Sequence, residues 1–222
     1  MLTNPIWHAL TTEQTHVALR DGDAARFQPE VTALAGLREA TEAALAALAG
    51  LLGPGDMLGV LLDAPVALPP GLARVDAAPV LQMLHDGPAP TEGAPLEVLG
   101  PDDVPAMMAL ADATRPGPFA RRTGELGTFL GIRAGGALIA MAGQRMRLPG
   151  LVEVSAVCTD PAHLGRGHAA RLITAQLAMI RGAGDGAFLH VRDDNARAIG
   201  LYERLGFRAT RLFHYLIVRA SG

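Results

Sequence analysis

The chain has 222 residues, half of them apolar and 18% charged, a balance that builds a folded core and excludes a disordered polymer. That length holds one large domain or two small ones, and with aromatics at only 4% the core must be filled by Leu, Ala and Val. The formal net charge of −3, with scattered arginines, gives no broad attraction to nucleic acid or an anionic membrane, so neither is expected as a partner. A single cysteine, Cys158, excludes an intrachain disulfide and a cysteine-based zinc site. The amino terminus has neither the basic region nor the apolar run of a signal peptide, which predicts a cytoplasmic protein.

Taken in order, residues 31–52 place Val31, Leu34, Leu37, Thr41, Leu45, Leu48 and Leu52 at steps of three or four, which predicts an amphipathic helix ending at Gly53-Pro54-Gly55. Arg38, Glu39 and Glu42 make that segment costly to place across a bilayer. Residues 57–62 read as a buried strand, Pro69-Pro70-Gly71 as a turn, and residues 72–84 as one or two further strands. Residues 87–95 are rich in Gly and Pro and poor in large apolar residues, which makes them the best linker. The expected division is a small α/β region of unknown role over residues 1–90, which could be a worn second copy of the fold that follows, and a second domain over residues 91–222.

Beyond the linker, residues 96–99 predict a strand, and residues 101–111 a helix with acids in its first turn. Residues 114–127 are irregular, and residues 127–133 and 137–146 form a hairpin about Gly135-Gly136. A central strand spans residues 152–159, a helix 169–181, a strand 188–191 and a helix 195–206. Residues 207–210 and 212–218 predict two last strands.

The most informative stretch is residues 153–173, read as strand, short loop and helix. Gly165 and Gly167 lie where the loop meets the helix, and they remove the Cβ atoms that would keep a ligand from the main chain. The first N–H groups of a helix lack internal partners and carry about half a positive charge, so this turn suits phosphate oxygens. A Walker loop requires Lys, and all 19 basic residues in the Lys and Arg count are Arg. Gly165-Arg-Gly167-His-Ala-Ala170, with Asp193 beyond the next strand, formally matches the dinucleotide fingerprint of a nicotinamide enzyme. The fingerprint, however, wants its first glycine at the strand end, not after a loop containing Pro161.

The stretch resembles the pyrophosphate-binding motif of the GNAT superfamily of acyl-CoA-dependent N-acyltransferases. Val157-Cys158-Thr159 matches the end of that family's central strand, and Leu164-Gly165-Arg166-Gly167-His168-Ala169 its Gln/Arg-x-x-Gly-x-Gly/Ala loop, with Leu164 where Gln or Arg is usual. About 35 residues on, Asn195 followed by Tyr202, Gly206 and Phe207 resembles the family's second signature. The resemblance implies a GNAT α/β (α+β) fold with a mixed, mostly antiparallel central sheet. It also implies transfer of an acetyl group from acetyl-CoA to a primary amine of a small molecule or peptide, with no metal, and is compatible with a homodimer. A silent acyl-CoA sensor or partner-binding module is the alternative, and a nicotinamide oxidoreductase the second.

By the same resemblance, Val157, Cys158, Thr159, Leu164, Gly165, Arg166, Gly167, His168, Ala169 and Asn195 hold the cofactor, Val157 and Thr159 through main chain. Arg171 and Arg197 are weaker phosphate candidates. Tyr202 becomes the acid that protonates the leaving thiolate. An ordinary phenol is about 1.5 pKa units weaker than a thiol, a cost of roughly 2 kcal/mol. Glu153 is the candidate base, directly or through water, with Glu125 as its rival, because an ordinary amine is protonated at neutral pH. Cys158 reads as a small apolar strand residue with no base spaced to activate it, and His190 as a satisfied core histidine. Residues 116–125 and 141–145 are expected to line the acceptor pocket, where Arg115, Arg121 and Arg122 would suit a carboxylate.

Overall fold

The structure, a computed structural model, describes residues 1–88 and 96–221. Most of the linker expected at residues 87–95 therefore lies outside the described residues. Helix α1 (Pro5–Thr11) is followed by strands β1 (Ala18–Asp21), β2 (Ala24–Phe27) and β3 (Leu34–Leu37), helix α2 (Glu42–Gly50), and strands β4 (Met57–Leu62) and β5 (Leu72–His85). Then come β6 (Glu97–Leu99), α3 (Val104–Thr114), β7 (Phe129–Ala134), β8 (Ala137–Leu148), β9 (Leu151–Thr159), α4 (His168–Gly182), β10 (Gly186–Arg192), α5 (Ala196–Arg204) and β11 (Phe207–Ala220).

The predicted helix over residues 31–52 is in fact a strand and a shorter helix. Leu34 to Leu37 are buried on both faces as β3, and a Cβ on Gly36 would stand 2.4 Å from the backbone nitrogen of Trp7 in α1. Close packing of α1 on an extended segment overrides the helical spacing. Thr41 is extended, and its hydroxyl accepts from the Ala44 N–H, so the helix begins there. The two predicted last strands are one strand, β11, kinked by a bulge at Thr210.

The strands form one sheet in the order β1-β2-β3-β4-β11-β5-β10-β9-β8-β7-β6. Neighbours are antiparallel except for β3 with β4 and β9 with β10. Strand β5, from before the linker, lies between β10 and β11, from after it, and pairs with both. The sequence division at about residue 90 thus runs through a shared sheet. Helix α1 packs in one cluster with Met146, Leu148 and Phe188 of the later strands, and α2 covers β2 to β4 and the end of β11. Ile173, Leu177 and Ile180 of α4 join Tyr202 of α5 over β9 and β10, while α3 packs on β7 to β9.

Candidate active site

Strands β9 and β10 are paired only at Gly186 with Leu151, Ala187 with Val152 and Phe188 with Glu153. Beyond Glu153 they part, and a cleft of about 580 Å³ opens between them. Its walls include Val157, Cys158 and Thr159 of β9, Asn195, Ala198 and Tyr202 around α5, and Pro161 and Leu164 at the mouth. Two bulges shape the β9 side. Between the pairs Met141 with Cys158 and Gly143 with Ser155, two residues of β9 oppose one of β8, and Ala156 there has φ 51°, a left-handed value for a residue with a Cβ. Between Gln144 with Val154 and Arg147 with Val152 the surplus lies on β8, so Arg145 and Met146 both oppose Glu153.

At the mouth, Asp160 caps a short 3-10 turn by accepting from the Ala162 N–H, and the chain then enters α4. Gly165 and Gly167 both have φ 77°, and a Cβ at either would meet nothing within 4 Å. Gly167 gives the first turn of α4 no side-chain cap, so those N–H groups face outward, while Nε2 of His168 is buried without a hydrogen-bond partner. This open loop, with an orphaned imidazole nitrogen, fits a phosphate oxygen. Five residues separate the end of β9 from Gly165, so the tight turn of a dinucleotide fold is not formed. Leu164 is 46% exposed and turns into the cleft. Arg166, Arg171 and Arg197 are exposed. Asn195 accepts from the Ala198 N–H to cap α5 and also lines the cleft, leaving its amide NH₂ for a ligand.

Tyr202 is 9% exposed, with its ring edge-on to Phe207, and burial pushes its phenol up to about 12. Burial also pushes the Cys158 thiol up to about 11, which suits a packing residue and not a nucleophile. The chain has two tyrosines, and the second, Tyr215 on β11, lines the same cleft. A Cβ on Gly59 of β4 would stand 2.0 Å from its hydroxyl, so that glycine makes room for the ring.

Glu153 sits at the point where the strands part, and its placement changes the reading of its role. It is fully buried. Arg145 donates to it from Nε (2.8 Å) and Nη2 (2.7 Å), and the Met146 N–H, freed by the bulge, donates at 3.3 Å. Its fourth contact is Nδ1 of His190 at 2.8 Å. Burial alone would raise this carboxyl, but Arg145, then His190, outweigh it and hold it at about 2. A carboxylate so placed is a poor proton acceptor, and it is not among the side chains that line the cleft.

The surrounding hydrogen bonds fix this array. The carbonyl of Leu2 accepts from the Gln82 amide nitrogen (3.0 Å), which fixes the amide so that the same nitrogen faces Nε2 of His190 (3.2 Å), while Thr210, at the β11 bulge, donates to the Gln82 carbonyl (3.2 Å). His190 therefore accepts at Nε2 and donates from Nδ1 to Glu153. Gln14 closes the β8 bulge by donating to the Arg145 carbonyl and accepting from the Arg147 N–H. Gln14, Gln82 and Leu2 all come from the first 90 residues, and sequence reading assigned them nothing: Gln82 is a lone polar residue in an apolar strand, Gln14 sits in a polar stretch, and Leu2 acts through its carbonyl.

Glu125 lies away from the cleft, in a two-pronged ion pair with Arg122 that lowers its carboxyl. Arg122 also donates to Gln28. Of the three arginines expected around an acceptor carboxylate, only Arg115 lines the cleft. Among the described residues no group of three or more His, Cys, Asp or Glu side chains gathers as a metal site, and no helix is long and apolar enough to cross a membrane.

Fold and cleft define an α/β protein whose central parallel strands part around a cavity, with an open phosphate-sized turn at its mouth. Comparison with known proteins makes that class specific. The FR47-like protein family model matches residues 129–216. A GNAT-family protein of known crystal structure from Novosphingobium aromaticivorans DSM 12444 is 43% identical, covers 100% of this chain and 99% of its own, and superposes with a TM-score of 0.93. The chain belongs to the GNAT family. It is also 39% identical over 87 residues (38% of this chain) to the N-alpha-acetyltransferase RimI of Mycobacterium tuberculosis (strain ATCC 25618 / H37Rv). To a protein of Mycobacterium leprae (strain TN) it is 35% identical over 149 residues (61% of this chain). The chain spans 54% and 38% of the length of those two curated relatives.

Proposed function

We propose that this protein transfers the acetyl group of acetyl-CoA to a primary amine of a small molecule or peptide. The observation that carries this reading is the parting of β9 and β10 at Glu153, with Tyr202 on one wall and the uncapped turn of Gly165 and Gly167 at the mouth. Main-chain N–H groups of that turn, with His168 and Arg166 beside them, take the pyrophosphate. The pantetheine arm runs along Val157 to Thr159 and meets the Asn195 amide. The bulge at Ala156 turns peptide groups toward the thioester, where an N–H would stabilise the carbonyl oxygen as it gains charge.

The amine nitrogen attacks the thioester carbon, the C–N bond forms and the C–S bond breaks. The sulfur takes its proton from Tyr202. A phenol at about 12 yields a proton to an ordinary free thiolate only at a cost of about 5 kcal/mol. Transfer must therefore accompany C–S cleavage, while the sulfur is gaining its charge. The proton released by the amine passes to water in the cleft, and the Tyr202 phenolate recovers a proton from that water. Glu153 does not take the amine's proton, and serves instead to hold Arg145 and His190.

The test is thiol release from acetyl-CoA across an amine panel, together with thermal unfolding in the presence of acetyl-CoA or NAD. Stabilisation by acetyl-CoA alone, with amine-dependent thiol release, is the expected result. Binding without turnover on any amine would remove the catalytic assignment.

A further inference from the structure

The apex array leaves one polar group unused. Nε and Nη2 of Arg145 are committed to Glu153, and no described residue accepts from Nη1. That nitrogen lies beside Gly117, 3.8 Å from where a Cβ on that residue would stand, and both residues line the cleft. The guanidinium is largely buried, with 12% of the side chain exposed. It cannot swing, because Glu153 is itself tied to Met146 and His190. Burial works against its charge, but Glu153 outweighs this and raises its pKa, so Arg145 remains a cation throughout the working range.

We infer that Arg145 receives the carboxylate of the acceptor, and that the acceptor is a small amino acid with an apolar side chain. The inference rests on the acyltransferase reading and deepens it. Nη1 offers two N–H donors on a fixed charge, and a carboxylate bound there forms charge-assisted hydrogen bonds without the entropic cost of ordering a flexible arm. Arg115, two residues before Gly117, adds a second positive group to the cleft lining. The cleft's other arginine, Arg192, is paired with Asp194.

Ile6, Leu34, Leu61 and Met146 supply the apolar wall. The lining carboxylate, Asp76, lies across from Ile217, two positions along β11 from Tyr215. An incoming ammonium therefore has its own partner, separate from that of the carboxylate. A phosphate would ask for more donors than this end of the cleft provides, and an uncharged amine would leave Nη1 buried and unanswered.

Rates of acetyl-CoA consumption with leucine, leucinamide and 3-methylbutylamine test the inference, because the three share a side chain and differ in the carboxylate. Leucine should exceed both others at least tenfold in kcat/KM, and Arg145→Lys, which keeps a charge for Glu153 but has no Nη1, should collapse that preference to within about twofold. Equal rates in the wild type, or a preference that survives Arg145→Lys, would overturn it. A second arm reads the site without turnover and without a variant. With CoA present, N-acetylleucine should raise Tm and its methyl amide should not, and equal rises or no rise would again overturn the inference. Thiol release with the simple amines reports separately on the acyltransferase reading.

Discussion

The two ends of the cleft are built by opposite means. At the mouth, residues 160–168 are consecutive, the groups on offer are main-chain N–H groups, and the glycine positions look onto open space. At the apex, Arg145, Glu153, His190, Gln82 and Gln14 come from five places in the chain and bind one another almost to saturation. The mouth leaves its groups unpaired, whereas the apex holds its shape by pairing nearly all of them. A site that must accept a large anion and release it gains from the first arrangement. A site that must position one small molecule against a reactive carbon gains from the second.

The largest effect is expected at the apex. Glu153→Ala removes one partner of a buried ion pair and leaves Arg145 charged among apolar walls, a loss of about 3–5 kcal/mol by urea unfolding. Retention of full stability would mean that the apex is held by packing alone. Acid provides the same test without mutation. With the folded-state carboxyl at about 2 against 4.5 ordinarily, Glu153 contributes about 3 kcal/mol above pH 4.5. That contribution fades as pH falls toward 2, and it should be absent from the acid limb of Glu153→Gln.

Between the two ends, Tyr202→Phe is expected to lower kcat about a hundredfold while leaving Tm and acetyl-CoA affinity nearly unchanged. Because the phenol titrates only near 12, kcat should show no falling limb below about pH 10. The smallest effect belongs to the mouth. Gly167→Ala puts a Cβ at φ 77°, costing about 1–2 kcal/mol of strain, and since that Cβ meets nothing, the fold should persist while acetyl-CoA binds less tightly. A Tm drop as large as that of Glu153→Ala would erase the distinction between the two ends.

This same contrast explains what could be read in advance. The mouth is a local pattern, so Gly165, Gly167, Asn195 and Tyr202 were legible from spacing and resemblance, and each lies on the loop, helix cap or wall expected of it. The apex is a product of register. A surplus residue in β8 sets Arg145 against Glu153, and no spacing within one segment reveals which strand carries the surplus. Glu153 was visible as a carboxylate on the central strand, but its saturation by Arg145 and His190 was not, so base chemistry seemed open to it. In the first half, periodicity misread β3 as helix because Val31, Leu34 and Leu37 satisfy a helical template, while the packing of Trp7 on Gly36 is nonlocal.

The shared sheet also bears on how the molecule is made. Strand β11 is the last of these strands to leave the ribosome, yet it alone joins β4 to β5. Until it arrives, both earlier strands present an open edge, and β5 awaits β10 as well. The first half can collapse during synthesis but cannot complete its sheet. Its exposed edges then make the nascent chain most prone to wrong pairing just before β11 is added.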